Sequence, residues 1–265
     1  VAFAEKVTEV PPASEAFTTL EREEAEATIK ELERSNLELR QFAYTASHDL
    51  QEPLRVIQSY TQELGKQLSP EAKGTAASYL RQIENGVQRM QQLTSGLLEY
   101  AHIDFGNEKA QSTPVQVALQ AALDNLRRLI ETNEAQIVVG DLPHVIGHST
   151  QLTQLFQNLI GNSLKFRSEE TPRLQVTALR AEPGFWKFSV ADNGLGIAPK
   201  ERERVFQMFT RLHSHEFQPG YGIGLALCKR IVESHGGTIW LEPAPGRGTT
   251  FSFTLRDAET LSIEE

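Results

Sequence analysis

The residues most able to do chemistry begin with one histidine that an acid follows at once. His48 and Asp49 lie at the centre of FAYTASHDLQEPL (Phe42–Leu54). A neutral imidazole can present a ring nitrogen to a phosphoryl group. A neighbouring carboxylate can hold the other nitrogen and stabilise the positive charge that develops. Taken alone, the pair is equally typical of an ordinary surface of a helix.

A second segment, QNLIGNSLKF (Gln157–Phe166), repeats polar side chains at helical spacing. Asn158, Asn162 and Lys165 fall on one face of the predicted helix. Asparagine oxygens can complete a Mg²⁺ shell that is shared with phosphate oxygens and water. A lysine ammonium can neutralise phosphate charge, although a plain solvated helix face would show the same spacing.

A third segment, DNGLGI (Asp192–Ile197), follows an apolar strand pattern. An aspartate at a strand end can accept a hydrogen bond from an exocyclic amine such as that of adenine. Gly194 and Gly196 would let the backbone approach a flat base closely. The alternative is a simple Asp-Asn-Gly turn.

A fourth segment, GYGIGL (Gly220–Leu225), leads directly into an apolar helix pattern. Glycine-rich loops before a helix bind phosphate through free backbone N–H groups. The segment is not a P-loop, because no Lys-Ser/Thr follows it, and it lacks the spacing and the preceding strand of a dinucleotide-binding fingerprint. We interpret residues 199–219, just before it, as a lid over a nucleotide.

These groups need elements that bring them together, and the first such element is a helical hairpin. A heptad runs from Ile29 to Leu64, and a second helical repeat runs from Ala76 to Tyr100. Each hairpin would have one apolar face to cover, so the pattern predicts a homodimer that forms a four-helix bundle. His48 falls at heptad position f, which faces solvent.

The rest of the chain alternates helix and strand patterns, which predicts an α/β sandwich with a sheet on one side and helices on the other. Ser149 is the expected N-cap of its helix. The expected helices are Val117–Asn133, Ser149–Phe166, Pro199–Phe206 and Gly222–His235. The expected strands are Ile137–Val139, Leu174–Leu179, Phe185–Val190, Thr238–Leu241 and Thr249–Leu255.

The predicted organisation has two domains and three connecting or terminal segments. Residues 1–16 are a linker from an upstream region, and 17–105 form a coiled coil with the histidine-bearing dimerisation domain. Residues 106–114 are a second linker, 115–258 the α/β domain and 259–265 a tail.

Composition excludes several classes of function. A net charge of −9 disfavours binding to nucleic acid. No apolar run reaches the roughly 20 residues needed to span a bilayer, so no membrane segment is expected. One cysteine, Cys228, excludes an intrachain disulfide and favours a reducing, cytoplasmic location.

Together the segments resemble the sensor histidine kinases of two-component signalling, over about Glu21–Leu255. Phe42–Leu54 resembles the phosphoacceptor box and Gln157–Phe166 the N box. Asp192–Ile197, Gly220–Leu225 and Gly246–Phe251 resemble three glycine boxes, and Val205–Leu212 the phenylalanine box. The run HDLQEPLR resembles the kinase modules of phytochrome-type photoreceptors.

This resemblance implies an ATP-dependent protein-histidine kinase with ATP and Mg²⁺ as cofactors, built on the ATP-binding fold of gyrase-type and chaperone ATPases. It implies His48 as the phosphorylated residue, Asp49 as its acidic partner, Asn162 as the Mg²⁺ ligand and Asp192 as the adenine reader. The other residues implied to bind the nucleotide are Asn158, Lys165, Phe166, Gly194, Gly196, Ile197, Phe209, Arg211, Gly220, Tyr221, Gly222, Ile223, Gly224, Leu225 and Thr249.

The implied partners are a second copy of the chain, an upstream sensor domain and a response-regulator receiver domain, whose aspartate takes the phosphoryl group. Many relatives carry Thr or Asn four residues after the histidine, where this chain has Glu52. In those relatives this residue is thought to position water for phosphatase action on the partner, so the resemblance leaves phosphatase activity on a response regulator open here. Two further alternatives are an ATP-binding signalling scaffold without kinase activity and another ATPase with the same pocket.

Overall fold

The structure is a computed structural model, which describes residues 28, 45–47, 49–66, 75–103, 111–210, 212, 222–243 and 247–259. Within these ranges, no helix combines the length and hydropathy needed to cross a membrane. The predicted heptad between residues 29 and 44 lies outside the described residues.

The N-terminal part is a hairpin of two helices. Helix α1 covers residues 49–66 and continues through Pro53, and helix α2 covers Thr75–His102. Buried side chains recur every seven residues along the hairpin. They are Ser47, just before α1, with Leu54 and Thr61 in α1, and Leu80, Val87 and Thr94 in α2. Gln91 Nε2 donates to Gln58 Oε1 at 2.9 Å across the hairpin. The seam inside the hairpin is therefore partly polar.

A separate face of the hairpin is apolar and exposed in the single chain. The heptad residues Leu50, Ile57 and Leu64 are 53%, 43% and 53% exposed. Tyr79, Ile83 and Met90 of α2 are also exposed. The face predicted to meet a second copy is thus distinct from the face that joins the two helices of one chain.

The C-terminal part is a two-layer α/β domain, as the sequence predicted. Its main sheet has the strand order β2-β4-β5-β7-β6, in which β2 and β4 are parallel and the other neighbours antiparallel. Helices α3, α4 and α5 cover one face, and the core between the layers includes Phe156 and Phe253. The bounds are β1 Gln111–Pro114, α3 Val115–Thr132, β2 Gln136–Val139, β3 His144–Gly147, α4 Ser149–Lys165, β4 Arg173–Arg180, β5 Phe185–Asp192, α5 Gly224–Ser234, β6 Ile239–Pro243 and β7 Thr249–Arg256.

Several local expectations were wrong. Residues Gln111–Pro114, expected in a linker, form strand β1, which pairs antiparallel with the unexpected strand β3. Ser149 is the first residue of α4 rather than its N-cap; His148 takes that position and makes no side-chain cap hydrogen bond. The helix expected at Pro199–Phe206 consists of two short 3₁₀ turns.

The end of α2 packs on the α/β domain. Ile103 belongs to the core of that domain, and Gln154 Nε2 on α4 donates to Glu99 Oε2 at 2.7 Å. The guanidinium of Arg230 on α5 lies 5.4 Å from the ring centroid of Tyr100. A Cβ atom added to Gly96 would lie 2.8 Å from Ile223 Cδ1, so the helix backbone touches the residue just before α5.

Candidate functional site

Asp192, the last residue of β5, holds its carboxylate through three donors. The backbone N–H groups of Gly194 and Thr249 donate to Oδ1 at 2.9 and 3.1 Å. The hydroxyl of Ser163 on α4 donates to Oδ2 at 2.9 Å. Burial raises the pKa of Asp192, and these three hydrogen bonds act against that rise. A carboxylate fixed in this way can accept a further hydrogen bond from an amine.

The glycines around Asp192 are needed for contacts between loops. A Cβ atom at Gly248 would lie 1.9 Å from the carbonyl oxygen of Asp192, and one at Gly194 would lie 2.6 Å from that of Phe166. Gly196 and Gly248 also have positive φ angles of 78° and 124°, which glycine adopts at little cost. Three loops therefore meet as bare backbone beside the carboxylate.

Helix α4 connects this carboxylate with the glycine segment before α5. A Cβ atom at Gly224 would lie 3.3 Å from Asn158 Oδ1. The Asn158 amide nitrogen is buried and has no hydrogen-bond partner among the described residues. Because a buried polar group is normally paired, this amide points to a polar ligand. Lys165 Nζ lies at the other end of the helix, 4.8 Å from the ring centroid of Phe166.

The glycine segment forms a tight junction with the stretch before it. The N–H of Phe209 donates to the carbonyl oxygen of Gly222 at 2.9 Å. Gly222 has φ 71°, and a Cβ atom there would lie 2.6 Å from the carbonyl oxygen of Thr210. Phe209 is itself in the left-handed region, at φ 63°, and is 57% exposed. An exposed aromatic side chain held in a strained conformation is more typical of a binding site than of packing.

Other predicted site residues are placed less directly. Ile197 and Leu225 pack against the hydrophobic core, and Ile223 is buried, so these three have a packing role whatever they bind. The structure shows Asn162 on α4, one residue before Ser163. Asp49 and Glu52 are exposed on α1. His48, Arg211, Gly220 and Tyr221 lie outside the described residues.

The polar side chains near the glycine segment suit a cation that retains water. In the part of the chain that the structure describes, no three His, Cys, Asp or Glu side chains cluster as metal ligands. The amide side chain placed there is that of Asn158, beside Gly224, and Asn162 lies about one turn later on the same helix. Mg²⁺ is often held by few protein oxygens together with substrate phosphates and water. The residues present fit that pattern of coordination.

Sequence reasoning missed one residue of the site and one residue that fixes the helices of the domain to each other. Ser163 is 4% exposed and contacts Asp192; the signal was a polar residue on the apolar face of α4. His235, just after α5, accepts a hydrogen bond at Nε2 from the His148 N–H at 3.1 Å, while Nδ1 lies 2.7 Å from the Ile231 carbonyl oxygen. It ties the end of α5 to the start of α4.

Two family models match the chain, one for each part of the structure. Residues 38–106 match the His Kinase A (phospho-acceptor) domain. Residues 147–259 match the histidine kinase-, DNA gyrase B- and HSP90-like ATPase family.

Curated relatives include photoreceptors and sensor kinases. Cyanobacterial phytochrome A of Nostoc is 47% identical over 85% of this chain and 29% of the relative. Phytochrome-like protein Cph1 of Synechocystis is 43% identical over 88% of this chain and 31% of the relative. Sensor histidine kinase WalK of Bacillus subtilis is 31% identical over 86% of this chain and 38% of the relative. The chain thus spans about a third of the length of these relatives.

Solved structures support the fold. ShkA in complex with AMPPNP aligns with a TM-score of 0.63 at 24% identity, over 81% of this chain and 45% of that chain. The histidine kinase AdeS of Acinetobacter baumannii aligns with a TM-score of 0.54 at 17% identity, over 80% of this chain and 98% of that chain. Both alignments extend over most of the chain.

Proposed function

We propose that this chain, which belongs to the sensor histidine kinases through its phospho-acceptor and ATPase domains, phosphorylates itself on His48 with ATP and Mg²⁺. The phosphoryl group then passes to an aspartate of a response regulator. The observation that carries the proposal is the carboxylate of Asp192, held by three donors among loops of bare backbone.

The α/β domain would bind the nucleotide from both ends. Asp192 accepts a hydrogen bond from the adenine amine, and Gly194, Gly196 and Thr249 shape the recess around the base. At the other end, the backbone N–H groups from Gly222 into the first turn of α5 offset phosphate charge. Lys165, the last residue of α4, would add a positive charge that reaches toward the phosphates from the Phe166 side. Mg²⁺, held by Asn162 with Asn158 nearby, supplies further neutralisation of the phosphate oxygens when bound.

The transfer itself would be an in-line displacement. A ring nitrogen of His48 attacks the γ-phosphorus, a phosphorus–nitrogen bond forms, and the bond to the bridging oxygen breaks to leave ADP. Asp49 stabilises the positive charge on the ring, and the ring's other nitrogen holds its proton through the step. Arg211 belongs to residues 199–219, which we propose act as a lid over the nucleotide, and Gly220 and Tyr221 begin the glycine segment that we propose binds the phosphates.

The partners follow from the exposed face of the hairpin and from the relatives. A second copy of the chain would cover Leu50, Ile57 and Leu64, which gives a homodimeric four-helix bundle. The resemblance to phytochromes favours a photoreceptor as the upstream sensor. The single cysteine, Cys228, is free and buried, and we propose a cytoplasmic location, where thiols stay reduced.

Incubation with γ-labelled ATP tests the proposal. We expect acid-labile, alkali-stable label on the chain, and we expect it to vanish in His48→Gln while nucleotide binding is kept. Loss of nucleotide binding in Asp192→Asn would tie the same label to the α/β domain. Label that survives His48→Gln contradicts the assigned acceptor, and tight ATP binding without any label would indicate a signalling scaffold instead.

A further inference from the structure

Ser163 is placed to control the state of the carboxylate that we assign to adenine. It lies on the apolar side of α4, 4% exposed, and its hydroxyl oxygen is 2.9 Å from Asp192 Oδ2. The same oxygen is 3.2 Å from the carbonyl oxygen of Leu159, one turn earlier on the helix. One hydroxyl proton thus has two acceptors, and only one of them can be charged.

We infer that Ser163 is a positioning and specificity residue, which keeps Asp192 ionised and turned to accept from an adenine amine rather than to donate to a guanine carbonyl. The inference rests on the proposed function, because it takes Asp192 as the residue that reads the base.

The argument follows from the donors on each oxygen. Oδ1 is occupied by the N–H groups of Gly194 and Thr249, so Oδ2 is the oxygen left to meet a base. Among the described residues, only Ser163 donates a hydrogen bond to Oδ2. When the carboxylate is charged, the serine proton goes to it, because hydrogen bonds to charged acceptors are the stronger ones. When the carboxyl is protonated, the serine proton turns to the Leu159 carbonyl oxygen.

The two states favour different bases. An ionised carboxylate accepts from the amine of adenine but repels the carbonyl oxygen that guanine presents in the same place. A protonated carboxyl can donate to that oxygen. Removal of a donor to the charged form raises the pKa of a carboxyl, so loss of the serine hydroxyl moves the balance toward the protonated state.

No charged side chain accounts for this balance. Burial raises the pKa of Asp192, and the opposing contributions come from Gly194, Ser163 and Thr249. The charged residues on the segments around it include Lys165 at the end of α4, Arg167, Glu169 and Glu170 in the loop that follows, Arg173 on β4 and Arg247 before β7. None of the cations among them forms a salt bridge with Asp192. Among the described residues, the Ser163 hydroxyl is thus the only side-chain donor to Asp192, and a mutation can remove it without changing a charge.

The test measures binding of a fluorescent ADP analogue, displaced by unlabelled ADP or GDP, from pH 5 to 8.5 with the whole chain and Mg²⁺. In Ser163→Ala we expect ADP binding about tenfold weaker at neutral pH, the effect typical of a hydrogen bond to a charged group. The pH at which ADP binding is lost should rise by about one unit. GDP affinity should change less, so the preference for ADP falls.

Two variants make the result specific. Ser163→Thr keeps the hydroxyl and should restore the pH profile and the ADP preference. Thr153→Ala removes an equivalent bond from a hydroxyl to a helix carbonyl oxygen, 2.8 Å from Thr153 Oγ1 to Ser149 O on the same helix, with no carboxylate involved, and it should change neither. Ser163→Cys, similar in volume but a weak donor, gives the same test if the alanine variant does not fold.

The outcomes are distinguishable. An unchanged pH profile in Ser163→Ala, with ADP binding abolished in Asp192→Asn, overturns the role of Ser163 and leaves the proposed kinase function intact. Equal shifts in Thr153→Ala would also overturn it, because the effect would then belong to the helix. If Asp192→Asn binds ADP as tightly as the unmodified chain, the adenine assignment itself is wrong.

Discussion

The helical hairpin and the α/β domain hold themselves together in different ways. In the α/β domain, Phe156, Phe188 and Phe253 are completely buried, and the last two stack with their ring centroids 5.2 Å apart. In the hairpin, Leu50 and Tyr60 are 53% and 75% exposed, while hydroxyl groups occupy much of the buried seam. The α/β domain completes its core within one chain, and the hairpin requires another surface to complete its own.

The difference predicts where each part is vulnerable. Substitution inside the α/β domain should act on folding, because the core already has all its partners. Substitution on the exposed face of the hairpin should act on association, because that face has its apolar side chains still in water.

The largest effect should come from Phe253→Ala. Removal of a fully buried phenylalanine from a packed core costs about 3–5 kcal/mol, so the α/β domain should unfold at a much lower denaturant concentration. Phe209→Ala is the matched control, since its side chain is 57% exposed and its loss should leave the free energy of unfolding nearly unchanged. If Phe253→Ala and Phe209→Ala lower the free energy of unfolding equally, the core of the α/β domain is not complete within one chain.

A somewhat smaller effect should come from Ile57→Lys. Its side chain is 43% exposed in one chain, and in a symmetric dimer two lysines would lie close together at the seam, at a cost of several kcal/mol. Sedimentation should show dimers weakened at least about 100-fold, with ADP binding kept. Arg55→Gln, on the outer face of the same helix, is the control. A dimer that survives Ile57→Lys would place the association surface elsewhere.

The smallest effect should be the response of the α/β domain to mild acid. Burial lowers the pKa of His235 in the folded domain, so the unfolded chain binds the proton more readily. Stability is therefore full above the ordinary histidine pKa of about 6.5 and falls as the pH drops toward the folded value, by at most about 1.4 kcal/mol per pH unit. Chemical denaturation at pH 7.5 and 5.5 measures this loss.

The acid response distinguishes the α/β domain from the hairpin if the loss of stability depends on His235. His235→Gln should flatten the dependence, whereas His144→Gln, which changes an exposed residue of β3, should retain it. The buried polar residues of the hairpin seam, Ser47, Thr61 and Thr94, do not titrate in this range. If association of the hairpin shows the same acid dependence as the stability of the α/β domain, the two regions do not differ in their response to acid.

The long periodic elements were predictable from local pattern. Helix α4 and the hairpin of β4 and β5 follow repeats that extend over enough residues to be recognised. Strands β1 and β3 have four residues each, and they pair although the whole of α3 lies between them in the chain. Strands this short show no periodic pattern of apolar residues that a sequence analysis could recognise. The sequence analysis missed the buried seam of the hairpin because it followed apolar residues, whereas Ser47 and Thr61 are polar.

The residues of the site also fall into two groups, those that the local sequence pattern indicates and those that only the fold brings together. Residue types and spacing indicated Asp192, Asn158 and the glycines. They could not indicate that the Ser163 hydroxyl meets a carboxylate 29 residues away, or that a histidine 87 residues on accepts a hydrogen bond from the N–H of His148 at the start of α4. Both depend on how the helices lie on the sheet, which only the folded domain determines.

The bare helix surface at Gly96 links the two domains sterically. Helical neighbours differ by about 100° around the axis, so a rotation of α2 by one position would bring Ser95 or Leu97 to where Gly96 now meets Ile223. Either side chain would need space that Ile223 fills. A rotation of α2 about its axis is therefore sterically coupled to a displacement of Ile223, the residue just before α5.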